Sequence, residues 1–231
     1  MIDLTKLLVI DSGHGGGDSG AVGNGLLEKD LTLAMAKRVK VIIETEYTGV
    51  TVKMTRDSDK FLPLSERADI ANKAKADYFI SFHVNAGGGT GYEDFIYNKQ
   101  TKGSATDKAR QTIHAEVAKV LTKHGIKNRG MKFANHAVTR ETNMKAVLVE
   151  TLFIDNKDDA AMLKKAAIIE DFAQAYAKGL VNVLGGKAKA KPKTTTKLYR
   201  VQVGAFGAKS NAENLAKELN KLGYATTIKY E

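Results

Sequence analysis

The stretch that most narrows the possible folds is Leu7 to Leu31, LLVIDSGHGGGDSGAVGNGLLEKDL. It opens with four apolar residues, Leu7 to Ile10, and closes at Glu28, where helical periodicity begins. Seven glycines, one histidine and two aspartates lie between these points. A short apolar run bounded by turn residues reads as a buried strand. A glycine-rich turn at its end lets backbone approach a ligand closely, because glycine has no Cβ to hold the ligand away.

The rest of the chain repeats the alternation of strand and helix. Helical spacing runs from Glu28 to about Tyr47, where Leu31, Met35, Val39 and Ile42 share one face. Strand patterns fall at 50–54, 77–82, 94–97 and 146–149, with a further short one near 137–139. Helices are expected at about 65–74, 106–125, 158–165 and 168–184, the first of them capped near Ser65. Arg129 falls in a loop. Such alternation predicts an α/β fold, a mostly parallel twisted sheet with helices on both faces. Open sheets of this kind bind ligands at the carboxyl ends of their strands. His14, His83 and Glu150 each directly follow a predicted strand, so three distant segments deliver reactive side chains to one edge.

Cysteine is absent, which excludes disulfides and thiolate ligands, so any metal has to use His, Asp or Glu. Two imidazoles and a carboxylate around an open position form a catalytic zinc site. His14, Glu28 and His83 are the candidate ligands, and Glu150, at the end of an apolar strand, is the candidate general base and then acid. Other readings stand beside these. Glu28 also suits the positive end of a helix dipole, and Glu150 also suits a salt bridge. His114, His124 and His136 lack such placement and read as surface or packing residues. Arg129 and Arg140 are candidates to hold a substrate carboxylate bidentately, with surface ion pairs as the commoner role of isolated arginines. The glycine turn lacks a Gly-Lys-Ser/Thr ending, which argues against a phosphate loop.

Residues 185–197, GGKAKAKPKTTTK, form a basic linker, and 198–231 read as strand, helix, strand. Residues 187–231 hold 10 Lys+Arg against 3 Asp+Glu, while the remainder holds 26 against 23. The basic charge is therefore concentrated in the tail, which favours polyanionic partners. The tail has no aromatic stacking series, so nucleic acid is not the expected partner. No apolar run approaches the ~18 residues of a membrane span, so no membrane insertion is expected. The first residues do not read as a signal peptide, so synthesis in the cytoplasm is expected.

Three segments together, DSGHGGGDSGAVGNGLLEKDL, MTRDSDKFLPLSERADIANKAKADYFISFHVNAG and AVLVETLFIDN, resemble the zinc-dependent N-acetylmuramoyl-L-alanine amidases of the Amidase 3 type. The resemblance covers about Leu7 to Leu184 and makes 1–184 the expected catalytic domain. It implies hydrolysis of the amide between muramic acid and L-alanine in peptidoglycan. It also implies zinc held by His14, Glu28 and His83, and catalysis by Glu150, which favours the metal reading of Glu28. Ser12 and Lys145 stand where that family commonly has proline. The tail resembles one half of a sporulation-related (SPOR) repeat, a wall-binding module, so pairing of two tails in a homodimer is an expectation. The expected setting is a phage endolysin or a sporulation-associated autolysin that reaches the wall after lysis of the cell. The alternatives are a non-catalytic wall-binding protein and a zinc peptidase with other substrates.

Overall fold

The computed structural model describes residues 5–190, 202–221 and 226–229. In chain order the first half holds β1 (Lys6–Ser12), a short ribbon of β2 (Val22–Gly23) and β3 (Leu26–Leu27), α1 (Glu28–Glu46), β4 (Tyr47–Thr48) and β5 (Val50–Met54). Next come α2 (Leu64–Lys73), β6 (Tyr78–Asn85), β7 (Tyr92–Tyr97), α3 (Ala105–His124) and β8 (Asn128–Ala134). The body ends with α4 (Ala137–Arg140), β9 (Lys145–Phe153), α5 (Lys157–Leu163), α6 (Ala166–Leu184) and β10 (Lys187–Ala188). One helix, α7 (Lys209–Lys221), follows in the tail. The chain divides into two units, Met1–Lys189 and Ala190–Glu231.

Six strands form one sheet in the order β5-β1-β6-β9-β7-β8. Every pair is parallel except β7 with β9. The fold is therefore α/β with a mostly parallel sheet, as the alternation of elements requires. The central strands are buried along nearly their whole length, because helices cover both faces. Alternate side chains feed two cores. Leu8, Ile10, Ile80 and Val149 join α1, α3 and α6 in the larger one. Val9, Phe79 and Leu148 pack with Ala71 of α2 and Val138 of α4 in the smaller one.

The second face changes character along its length. Near the start of β1, β6 and β9 it is apolar: Val9, Phe79 and Leu148. Two residues further along each strand the same face carries Asp11, Ser81 and Glu150, with His83 one step beyond Ser81. Antiparallel β7 brings Glu93 to the same edge, opposite Glu150. The small core thus ends where a polar floor begins.

Several expectations need correction. Residues 137–140 form a helix, not a strand; three residues are too few for alternation to separate the two. Arg129 lies on β8, an edge strand whose exposed Met131 and Phe133 hide its pattern. Helix α2 begins at Leu64 without a side-chain cap, so Ser65 does not start it. His83 and Glu150 lie inside their strands, not after them. Each one ends an apolar run in the sequence while the ladder hydrogen bonds continue past it.

In the tail, Ala212, Leu215, Ala216 and Leu219 form the half-buried stripe of α7, the 3.6-residue spacing expected of that helix. The described residues beside it, 202–206 and 226–229, carry no assigned strand. Residues 191–201 and 222–225, with most of the linker and part of both expected strands, lie outside the described residues.

Candidate metal centre

The loop that carries His14 is held from beneath by two buried arginines. Arg67 donates to Ser12 O at 2.6 Å, to His14 O at 2.8 Å and to Leu62 O at 3.0 Å. Arg56 donates to Ser12 O at 2.9 Å and to Gly13 O and Lys29 O at 2.8 Å each. These guanidiniums replace the ladder partners that the backbone loses when it leaves β1. Asp11, fully buried, balances them by accepting from Arg67 at 3.0 Å, Thr55 at 2.6 Å and Ser81 at 2.7 Å. Removing one partner of such a buried pair costs about 3–5 kcal/mol. The clamp also holds His14 at φ 60°, a left-handed conformation costly for a side-chain-bearing residue.

Above this support His14, Glu28 and His83 converge. Each offers one ligand atom, and these atoms lie within 4.8 Å of one another. His14 Nε2 is 3.2 Å and His83 Nδ1 3.0 Å from Glu28 Oε1. The backbone N–H groups of Val84 and Ala21 donate to the Glu28 carboxylate at 3.0 and 2.8 Å. Asp18 Oδ2 lies 2.9 Å from His14 Nδ1, so that nitrogen donates and the Nε2 lone pair faces inward. Glycine is needed at two places around this cluster. A Cβ on Gly13 would lie 2.5 Å from the His83 ring, and one on Gly20 would lie 2.6 Å from both Glu28 and the His14 ring.

The donor set fits a zinc ion: two imidazoles and a carboxylate, one imidazole oriented by a second carboxylate. The three side chains also shift one another's titration. Burial disfavours charge on His14, but Glu28 and then Asp18 outweigh it and raise its pKa to about 8. Burial opposes ionisation of Glu28, yet the hydrogen bonds from His14 and His83 hold its pKa well below the usual range. Burial also works against charge on His83, and Glu28 and Glu150 raise its pKa overall.

Glu150 sits across the β6–β9 ladder from His83 and across the β9–β7 ladder from Glu93. The β6–β9 register shifts between His83 and Asn85, a bulge at the site itself. Glu150 Oε2 is buried and has no hydrogen-bond partner among the described residues. Burial pushes the pKa of this carboxyl up to about 7; His83 opposes the rise, and Glu28 and Glu93 add to it. Glu93 accepts from Asn85 at 2.7 Å, from Arg129 at 2.8 Å and from Lys132. The Arg129 guanidinium also lies over the Phe153 ring, 4.9 Å from its centroid. Arg140 is bound to Asn135 and Glu141, both at 2.8 Å, away from this cluster's contacts.

A cavity of about 390 Å³ opens beside the cluster, lined by His14, Asp18, Arg67 and His83 and by an apolar wall that includes Leu62 and Val138. His136 also lines it. Its imidazole packs edge-on against the Phe95 ring, with centroids 5.1 Å apart, in keeping with its reading as a surface or packing residue. His114 is buried against Asp94 at 2.6 Å, and His124 meets Asp171 at 2.7 Å. Sequence reasoning missed Arg56 and Arg67. A polar residue on the buried face of a predicted helix was the available signal for Arg67.

The N-acetylmuramoyl-L-alanine amidase family model, Amidase_3, matches residues 8–182, and the SPOR domain model matches 195–231. An endolysin of Bacillus phage SPP1 is 48% identical over 188 residues, 81% of this chain and 69% of that protein. A sporulation-specific N-acetylmuramoyl-L-alanine amidase of Bacillus subtilis is 41% identical over 221 residues, 96% of this chain and 83% of that protein. Among solved structures, the catalytic domain of the amidase CwlV from Bacillus (Paenibacillus) polymyxa superposes with a TM-score of 0.72 at 34% identity, covering 78% of this chain and 99% of that one. The mostly parallel sheet, the histidine–glutamate–histidine cluster at its carboxyl edge and these matches agree: the chain belongs to the N-acetylmuramoyl-L-alanine amidase family.

Proposed function

We propose that the protein is a peptidoglycan hydrolase that cleaves the amide between N-acetylmuramic acid and the L-alanine of the stem peptide, with zinc held by His14, Glu28 and His83. The observation that carries this reading is the convergence of three ligand atoms within 4.8 Å. Glu150, whose Oε2 is buried without a hydrogen-bond partner among the described residues, lies in register with one of those ligands. Zinc bound there would supply a Lewis acid for the amide carbonyl and lower the pKa of a water molecule. Glu150 accepts the proton of the attacking water and delivers it to the departing nitrogen. Its raised pKa suits both steps, because a group poised near neutrality both takes and returns a proton. Asp18 fixes the tautomer of His14, and Arg56 and Arg67 fix the loop that presents it.

Arg129 is the arginine suited to a substrate carboxylate, since it and Lys132 place two cations on the single carboxylate of Glu93. The contacts of Arg140 support no such role. The SPOR match and the basic tail support attachment to the wall. Pairing of two tails is a further proposal; light scattering of the full chain beside residues 1–186 tests it, and monomeric masses for both would exclude it. Action on the wall after release by lysis is a further proposal, made beside relatives named as an endolysin and a sporulation-specific amidase. No helix among the described residues is long and apolar enough to cross a membrane.

Purified cell wall incubated with the protein tests the activity. New L-alanine amino termini without new reducing sugar ends, abolished by a chelator and restored by zinc, are expected. Wall left unchanged by the zinc-loaded protein would refute the hydrolase reading.

A further inference from the structure

Phe61 is a large apolar side chain left in the open beside the candidate metal centre. It is 55% exposed and Leu64 is 57% exposed, and both line the cavity that His14 and His83 line. The rest of that lining, Asp11, Asp18 and Arg67 included, is buried or half-buried, so Phe61 and Leu64 form its exposed lip. The lip is fixed in place. Asp59 accepts from the Gly16 N–H at 2.7 Å and from Lys29 Nζ at 2.8 Å, and Arg67 donates to Leu62 O at 3.0 Å. A Cβ on Gly16 would lie 2.7 Å from the Phe61 nitrogen, so this loop rests directly on the turn that carries His14. An apolar ring held in water beside a catalytic cavity suits contact with a ligand.

The sheet order tells which part of the substrate comes to this lip. The loop with Phe61 follows β5, at one edge of the sheet. Next come β1 and β6 with His14 and His83, then β9 with Glu150, then β7 and β8 with Glu93, Arg129 and Lys132. Glu150 and the two cations therefore lie on one flank of the ligands, and Phe61 lies on the other. The departing nitrogen receives its proton from Glu150, so the peptide extends along the Glu150 flank. There Arg129 and Lys132 suit a peptide carboxylate. The lactyl carbonyl, and the sugar that carries it, then extend along the Phe61 flank. The chemistry of the two flanks agrees. A muramoyl sugar whose lactyl carboxyl is tied up in the amide carries no charge. One face of a pyranose ring presents C–H groups, which pack on an aromatic ring, and its hydroxyls suit a polar part of the lining such as Asp18.

We propose that the substrate crosses the site with its glycan on the β5 side, a sugar ring packed on Phe61, and its peptide on the β9–β8 side. Phe61 is then a glycan-contacting residue that sets which way round the substrate binds. The proposal rests on the amidase reading of the site.

The test uses the full-length, zinc-loaded protein with a soluble disaccharide-peptide as substrate. The two products of the reaction serve as competing inhibitors: the disaccharide with its freed lactyl carboxyl, and the freed peptide. A soluble substrate keeps attachment to the wall out of the measurement. Phe61→Ala is expected to raise Ki for the disaccharide and KM for the substrate about fivefold to tenfold, the scale of one lost aromatic packing contact. Ki for the peptide stays unchanged. Zinc content and Tm stay as in the wild type, because the side chain removed is more than half exposed. Phe61→Tyr keeps the ring face and is expected to keep the wild-type Ki. A larger rise in Ki for the peptide than for the disaccharide would place the peptide on this lip and overturn the proposal. Equal rises, or none, also overturn it. So does a wild-type protein that the disaccharide fails to inhibit. A wild-type protein that cuts neither the soluble substrate nor wall would remove the amidase reading itself, and that result comes before any variant is made.

Discussion

Glu28 and Glu150 are the same residue type, both largely enclosed, within one site, and their protons behave in opposite ways. Glu28, in the first turn of α1, is approached by two imidazoles and two backbone N–H groups. Its pKa falls despite burial. Glu150, inside β9, has an unpartnered buried oxygen and faces Glu93 across the ladder, and its pKa rises to about 7. Burial alone therefore does not set the charge of a carboxylate; the donors around it do. The loop side of the site is built to hold an anion that binds a cation. The strand side is built to hold a proton that moves.

The largest expected effect comes from breaking the strand side alone. Glu150→Gln keeps the shape and removes the titrating oxygen. Turnover on wall should fall by about 10²–10⁴-fold, the usual contribution of a positioned acid–base group. Bound zinc, measured by elemental analysis, should be unchanged. Loss of zinc together with activity would mean that the two carboxylates do not divide the work.

Disturbing the loop side through its outer partner should act on affinity instead. Asp18→Asn removes the carboxylate that orients His14. Zinc affinity, followed by competition with a chelator, should weaken about 10–100-fold. Turnover of the zinc-saturated variant should change much less.

Acidity sharpens the contrast further. The base form of Glu150 is required, so kcat/KM should fall on its acid side through a pKa at or below about 7, since a bound cation beside the group draws that value down. An acid limb centred well above pH 7 would exclude Glu150 as the group observed.

The smallest effect concerns stability without metal. A carboxyl whose folded pKa is raised contributes stability fully below the unfolded value, near 4.5, and loses it as pH rises through about 7. The lowered pKa of Glu28 acts in the opposite sense: its contribution is present above pH 4.5 and is lost as pH falls. Metal-free Glu150→Gln should therefore gain Tm relative to wild type by a few degrees above pH 7, and the gap should close near pH 5. A constant gap across that range would mean that Glu150 ionises as it would in water.

The layered fold was legible because it depends on local patterns. Apolar runs such as Leu7 to Ile10 and Ala146 to Val149 have to be buried on both sides, and the spacing of Leu31, Met35, Val39 and Ile42 has one period that suits it. The ligands were legible for a related reason. Their order along the chain, together with the glycines at 13 and 20, reflects how closely side chains crowd the turn. The two arginines and the place of His136 beside the cavity were not legible, since nothing within a few residues of them records what they touch.

The amino-acid order by itself determined which segments become strand and helix, and that His14, His83 and Glu150 reach one edge; for Glu28 the pattern alone leaves the helix-dipole reading open, and the motif resemblance favours the metal. Those outcomes follow from hydrophobic periodicity and from the direction of parallel strands. Only the tertiary structure decided that Glu150 Oε2 is buried without a hydrogen-bond partner among the described residues, that Arg56 and Arg67 carry the His14 loop, and that His136 lines the cavity beside His14 and His83. Each of these depends on contacts between residues far apart in the chain, and short-range pattern carries no record of such contacts.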